Sequence, residues 1–349
     1  MKKKIKVVML CMTVLLLYTG CSPTEQSDSE VGVLDTKIVL GKDYNTFLQY
    51  ADGDNTLLSL EKNIDVNVGP ATTTEGFVKY GLDDGTIKQV IPVDMDAQVH
   101  SAIPFGDALL YVDYTVIQDE LKWDVVLYGN GEKKVLRSGA CNFYSQLPEI
   151  ALIEEKPMIL WEDTIENVFK LEAYDGQAFS EITLPKDLKL AGTELASNAK
   201  ELCFLVEDAT GKGQFVLAGK DGVIDMVPLD GKVTSFGLAK DCLVCGLGDE
   251  AETGIFSLMI YNFRLKERKE IKTSKALYRM ADSQTDETLC VNSDFQILRI
   301  DSSEEKITEI STPKGYEGDP VIFGMVSENG CLAGFLKDDQ YNYCIINEM

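Results

Sequence analysis

Residues 99–136 read VHSAIPFGDALLYVDYTVIQDELKWDVVLYGNGEKKVL. Short apolar blocks, rich in β-branched and aromatic residues, are separated by turn residues, and no helical spacing persists. This is how strands are written. Four fit the stretch, at 99–105, 108–114, 123–128 and 133–136, the last two joined through Gly129-Asn130-Gly131. Asn-Gly between apolar runs favours a tight hairpin, because both central residues accept positive φ.

The same order recurs along the chain. In a first unit, 76–80 and 86–91 flank Asp83-Asp84-Gly85; in a third, 168–174 and 179–184 flank Asp175-Gly176; in a fourth, 214–218 and 223–227 flank Lys220-Asp221-Gly222. An apolar pair leads each unit: Leu57-Leu58, Leu109-Leu110, Met158-Ile159, Leu202-Cys203, Cys242-Leu243, Leu289-Cys290 and Cys331-Leu332. Their mean spacing is about 46 residues, the length of a four-stranded propeller blade. An all-β propeller of seven four-stranded blades is therefore expected over 37–349; the alternatives are six or eight blades, or paired β-sandwiches. The last unit has strands at 321–325, 331–335 and 341–346 and then ends, one strand short. Residues 37–41 (KIVLG) are strand-like and unassigned, so an N-terminal strand is expected to close the ring and protect its edges. The one stretch considered for a helical turn is 274–282.

Upstream lies a different kind of sequence. A basic start, Met1 to Lys6, precedes an apolar run from Val7 to Tyr18 and then Thr19-Gly20-Cys21. Twelve residues rise about 18 Å as a helix, against about 30 Å of bilayer hydrocarbon, so the run is a secretory signal (1–20) rather than a span. Residues 22–30 (SPTEQSDSE) are polar and acidic and read, within 21–36, as a tether. Thr19-Gly20-Cys21 resembles the lipobox of bacterial lipoproteins. With the repeat pattern, the chain resembles β-propeller lipoproteins of bacterial cell surfaces. That resemblance implies cleavage before Cys21, acylation of its thiol, and anchoring on the extracytoplasmic face of the cell membrane.

Removing residues 1–20 takes away four lysines and no acid, leaving 29 basic and 57 acidic residues. So acidic a chain cannot neutralise phosphates, and nucleic acid is excluded as a partner. Apart from Cys21, seven cysteines follow the signal, six of them in or beside apolar runs, where a free thiol acts as a small hydrophobe. Cys242 and Cys245 have redox-like spacing. In a strand, however, positions three apart face opposite ways, and a chain with one histidine has too few soft zinc ligands.

Chemistry is sparse. No nucleophile elbow, phosphate-binding loop or zinc-protease segment occurs, and any catalytic triad must use His100. No catalytic residue, metal site or cofactor is assigned. Asp52-Gly53-Asp54-Asn55 and Asp83-Asp84 lack the full calcium-loop spacing and are favoured in turns for backbone reasons. Connections between second and third strands, at 118–120, 163–167, 208–213 and 248–253, are expected to share the channel mouth. Candidate contact residues are His100, Trp123, Tyr144 and Tyr316, with Phe143 beside them. The leading expectation is a non-catalytic binding or scaffold module for protein, peptide or glycan. The alternatives are a sugar or lactone hydrolase or lyase using channel carboxylates, and an accessory subunit of an envelope assembly or transport machine.

Overall fold

The computed structural model describes residues 44–346 except 52–54, 67–68, 82–86, 93–97, 118–119, 143–146, 164–165, 167, 249–253, 314–315, 317 and 338–339. These residues form seven antiparallel sheets and no helix. The sheets span 44–92, 99–142, 149–182, 189–228, 232–273, 277–310 and 319–346, and are numbered here as blades 1 to 7. Blades 1 to 6 have four strands each, and blade 7 has three. The chain is a seven-bladed β-propeller. The expected closing strand at 37–41, with Cys21 and the signal, lies outside the described residues.

The apolar pairs explain why the blades stack. All seven lie in the second strands, with both faces of each strand covered by neighbouring blades. Successive strand residues point to opposite faces, so each pair sends one side chain to each neighbour. Leu57 joins the core between blades 1 and 2, and Leu58 that between blades 7 and 1. Leu109 and Leu110 split between the 1/2 and 2/3 cores, and Leu202 and Cys203 between 3/4 and 4/5. Cys242 and Leu243, Leu289 and Cys290, and Cys331 and Leu332 divide in the same way. Seven apolar clusters thus fill seven interfaces. The cluster of Leu48, Ala51 and Leu58 with Leu332, Tyr343 and Ile345 closes the ring.

Backbone bonds reinforce part of that ring. Near the turns between first and second strands, Glu154 N donates to Ala199 O (2.7 Å), Lys240 N to Ser283 O (3.1 Å), Gln284 N to Val326 O (2.9 Å) and Met325 N to Ala51 O (3.1 Å). The Asn198 side-chain amide donates to Lys240 O (2.8 Å). Together these form a hydrogen-bonded hoop from blade 3 through blade 7 to blade 1.

One stretch departs from its sequence reading. Residues 274–282 contain no helical turn; Leu277–Tyr278 is the short inner strand of blade 6. Leu277 goes to the 5/6 core and Ala281 to the 6/7 core. Arg279 between them takes φ 51°, which breaks any helix.

Candidate functional site

Strand order gives the ring two unlike ends. One carries the turns from first to second and from third to fourth strands, and it is stitched by ions across blades. Lys220 pairs with Glu154, Arg264 with Glu201, Lys240 with Asp286 (3.2 Å) and Lys266 with Asp225 (2.7 Å), and Arg264 also holds Asp241 of its own blade (3.1 Å). The other end carries the connections from second to third strands and from blade to blade. Exposed large apolar side chains gather there: Val116, Val168, Ile255, Tyr278 and Phe295, five of the eight found among the described residues.

His100 sits at this second end, in the inner strand of blade 2 (Val99–Phe105). It is the extra residue of a bulge against the neighbouring strand, and a bulge re-aims its side chain. His100 Nε2 lies 2.7 Å from Glu149 Oε1, at the start of the inner strand of blade 3 (Glu149–Ile153). Burial pulls the imidazole pKa down, but the hydrogen bond and charge of Glu149 outweigh it, and the net shift is upward. The pair links two blades at the channel mouth.

Deeper in the ring, Asp282 of blade 6 reaches past blade 5. Its Oδ1 accepts from Leu238 N (2.9 Å) and its Oδ2 from Ser197 N of blade 4 (2.8 Å), while its carbonyl accepts from Val326 N of blade 7 (2.7 Å). One residue therefore ties four blades. Burial pushes its carboxyl up to about 7 against the lowering effect of the two N–H groups, and the charge of Glu194 raises it further. The Glu194 carboxyl is itself raised by desolvation.

The remaining candidates are placed differently. Trp123 is 2% exposed in the 2/3 core and meets Trp161 edge to face at 5.5 Å, so its ring serves packing rather than the surface. Around that contact, Trp161 Nε1 donates to Glu172 (2.8 Å), and Arg137 pairs with Glu172 and lies over Trp161. Tyr316 is half-buried, at the edge of the 6/7 core against Phe335 (5.7 Å). Phe143 and Tyr144 lie outside the described residues, as do Asp52 to Asp54 and Asp83-Asp84.

All seven described cysteines are buried and free. Cys242 joins the 5/6 core and Cys245 the 4/5 core, so this pair faces opposite ways. Burial raises every thiol, Cys290 and Cys344 to about 12, which keeps them protonated and poor nucleophiles.

Sequence reasoning missed Ile255, Tyr278 and Phe295. The signal for Phe295 was present in Asn292-Ser293-Asp294-Phe295-Gln296, a polar hairpin turn with an aromatic at its tip. Asn292 Oδ1 accepts from Asp294 N (2.9 Å) and Gln296 N (3.1 Å) and fixes the turn, and Phe295 takes φ 60° within it.

No family model and no curated protein matches the chain. Similarity to solved structures is broad. A structure of YCF48 bound to D1 peptide aligns at TM-score 0.53 and 9% identity, covering 88% of this chain and 93% of that one. The β-propeller domain of the Trilobed protease from Pyrococcus furiosus aligns at 0.52 and 11%, covering 72% and 83%. Kuenenia stuttgartiensis hydrazine synthase aligns at 0.51 and 9%, covering 88% and 97%. At such identities the likeness is one of fold.

Proposed function

We propose that this protein is a non-catalytic binding module, tethered by lipid on Cys21 to the extracytoplasmic face of the cell membrane. It holds a protein partner against the ring end that carries the connections from second to third strands. The observation behind this reading is the contrast between the two ends. One is bridged from blade to blade by Lys220–Glu154, Lys240–Asp286 and Arg264–Glu201, and the other, which carries its own Lys275–Asp294 and Lys212–Asp230 pairs, leaves Val116, Val168, Ile255, Tyr278 and Phe295 facing solvent. Apolar side chains grouped at one end of an acidic molecule fit an interface better than they fit solvent. The buried, protonated thiols also offer no covalent chemistry.

The test is a photo-cross-linking amino acid placed in intact cells at Ile255 or Phe295, or at Leu265 or Ile224 on the opposite end. Discrete adducts from the first pair alone are expected; adducts from the second pair alone would overturn the assignment. Intact mass of the extracted protein addresses the anchor. An acylated N-terminus at Cys21, lost in Cys21→Ala, is expected, and an unmodified chain cleaved elsewhere would remove the membrane from the proposal.

A further inference from the structure

The backbone hoop runs from blade 3 through blade 7 to blade 1, so the seam between blades 2 and 3 is held by other means. The turns that would carry the bond there, 106–107 and 154–155, are both described. Glu154 is turned the other way. Its N donates to Ala199 O of blade 4, and its carboxylate pairs with Lys220 of the same blade. Among the described residues, no backbone hydrogen bond joins blade 2 to blade 3.

Ion pairs between described residues cross this seam at two places. At the outer rim, Arg137 in the fourth strand of blade 2 (Glu132–Asn142) pairs with Glu172 in the third strand of blade 3 (Val168–Tyr174). Trp161 donates to the same carboxylate (2.8 Å). Between the rims, Ile103, Leu110, Val112 and Val125 of blade 2 share a core with Ile150 and Ile159 of blade 3. At the inner rim, His100 meets Glu149 (2.7 Å).

The two rims differ in kind. A guanidinium keeps its charge throughout the physiological range, whereas an imidazole gains or loses its charge near neutrality. His100 is also weakly held by its own sheet. It falls between Val99, opposite Asp113, and Ser101, opposite Val112, so the ladder skips it. Glu149 is the charge that acts on the imidazole. Other charged groups on the surrounding strands have other partners. Asp113 of the same blade accepts from Gln98 N (3.2 Å); in blade 1, Glu61 accepts from Thr74 (2.9 Å) and Lys62 pairs with Glu75 (3.2 Å). The inner strand of blade 1 (Tyr44–Ala51) carries no charged residue.

We propose that the ring opens along the inner rim of the seam between blades 2 and 3, with Arg137 and Glu172 as the hinge. The His100–Glu149 pair is its latch, closed while the imidazole is protonated and released when the proton leaves. The neutral ring keeps one hydrogen bond to the carboxylate but loses the charge attraction that made it strong. Release widens the channel mouth and uncovers Ile103 and Ile150, the members of this core that lie on inner strands. The inference goes beyond the binding reading and needs neither its partner nor its lipid.

The experiment is hydrogen–deuterium exchange of the full-length protein in non-ionic detergent at about pH 5.5 and 8, corrected for the intrinsic pH dependence of exchange. Protection of residues 99–105 and 149–153 should fall severalfold at the higher pH, while that of 168–174 at the hinge should not. His100→Gln, neutral throughout, should hold both inner strands at their high-pH protection at either pH. Glu149→Gln should do the same. Protection of the second strands of blades 4 and 5 (Glu201–Glu207 and Cys242–Gly248) shows in the same data that each variant is folded. Inner-strand protection that does not change with pH in the wild type, or a change that persists in His100→Gln, would overturn the proposal. A loss of equal size in blades 4 to 7 would assign the opening to Asp282 and overturn it likewise.

Discussion

At the scale of the residue, His100 is the clearest handle, because it is the chain's one histidine and gives a single imidazole signal. Glu149 raises its pKa above the ordinary 6.5, so the pair's contribution to stability is complete below pH 6.5 and lost as pH rises through the folded pKa. An NMR titration should place the midpoint above 6.5. In Glu149→Gln the carboxylate charge is gone and desolvation is opposed only by a neutral hydrogen bond, so the midpoint should fall; a midpoint unmoved by that change would show that the Glu149 charge is not the cause. The sequence pointed to His100 at the channel mouth. It could not show Glu149, 49 positions away, as the partner, since only ring geometry brings neighbouring inner strands together. Nor could it separate Trp123 from a surface aromatic. A strand whose two faces both meet other blades looks, residue by residue, like one with a face in solvent.

The blade as an element was far more legible. Asp-Gly and Asn-Gly turns placed the outer hairpins, and the apolar pairs placed the second strands, because both signals are local. Inner strands were harder to read. Leu277–Tyr278 is two residues long, and Ala276, Leu277, Met280 and Ala281 repeat at a helix-like interval, although Leu277 and Ala281 serve different interfaces. Close packing within blade 2 is testable at Gly139, which stands opposite Trp123 in the third-to-fourth strand pairing. A methyl group there would run into the indole ring. Gly139→Ala should therefore cost about 1–3 kcal/mol of unfolding free energy. Urea titration followed by the fluorescence of Trp123 and Trp161, the chain's two tryptophans, would measure it. A loss of under about 0.5 kcal/mol, the ordinary surface range, would mean that the ring has room to move.

For the whole molecule, Asp282 makes the ring sensitive to pH. Its folded pKa, about 7, exceeds the ordinary 3.8, so the folded state holds the proton more tightly than the unfolded chain. The associated stability is complete below about pH 4 and is lost as pH rises through about 7. Wild-type protein should lose on the order of 1–3 kcal/mol between pH 5 and 7.5 through this group. Asp282→Asn should flatten that slope while lowering stability throughout, because the Asn amide accepts at one oxygen where the carboxylate served two backbone donors. Denaturation at matched pH values in Asp282→Asn and Glu149→Gln separates the two groups; an unchanged slope in Asp282→Asn would assign the pH dependence elsewhere.

The buried thiols carry a consequence for kinetics. They are distributed over different seams of the ring: Cys141 between blades 2 and 3, Cys203 and Cys245 between 4 and 5, Cys242 and Cys290 between 5 and 6, and Cys331 and Cys344 between 6 and 7. The last three seams lie along the backbone hoop, and Cys141 lies outside it. A thiol yields to an alkylating reagent only when its own seam parts, so the seven cysteines act as a set of clocks. The order in which they are modified under mild denaturant records the order in which the ring comes apart, with Cys141 the first to run.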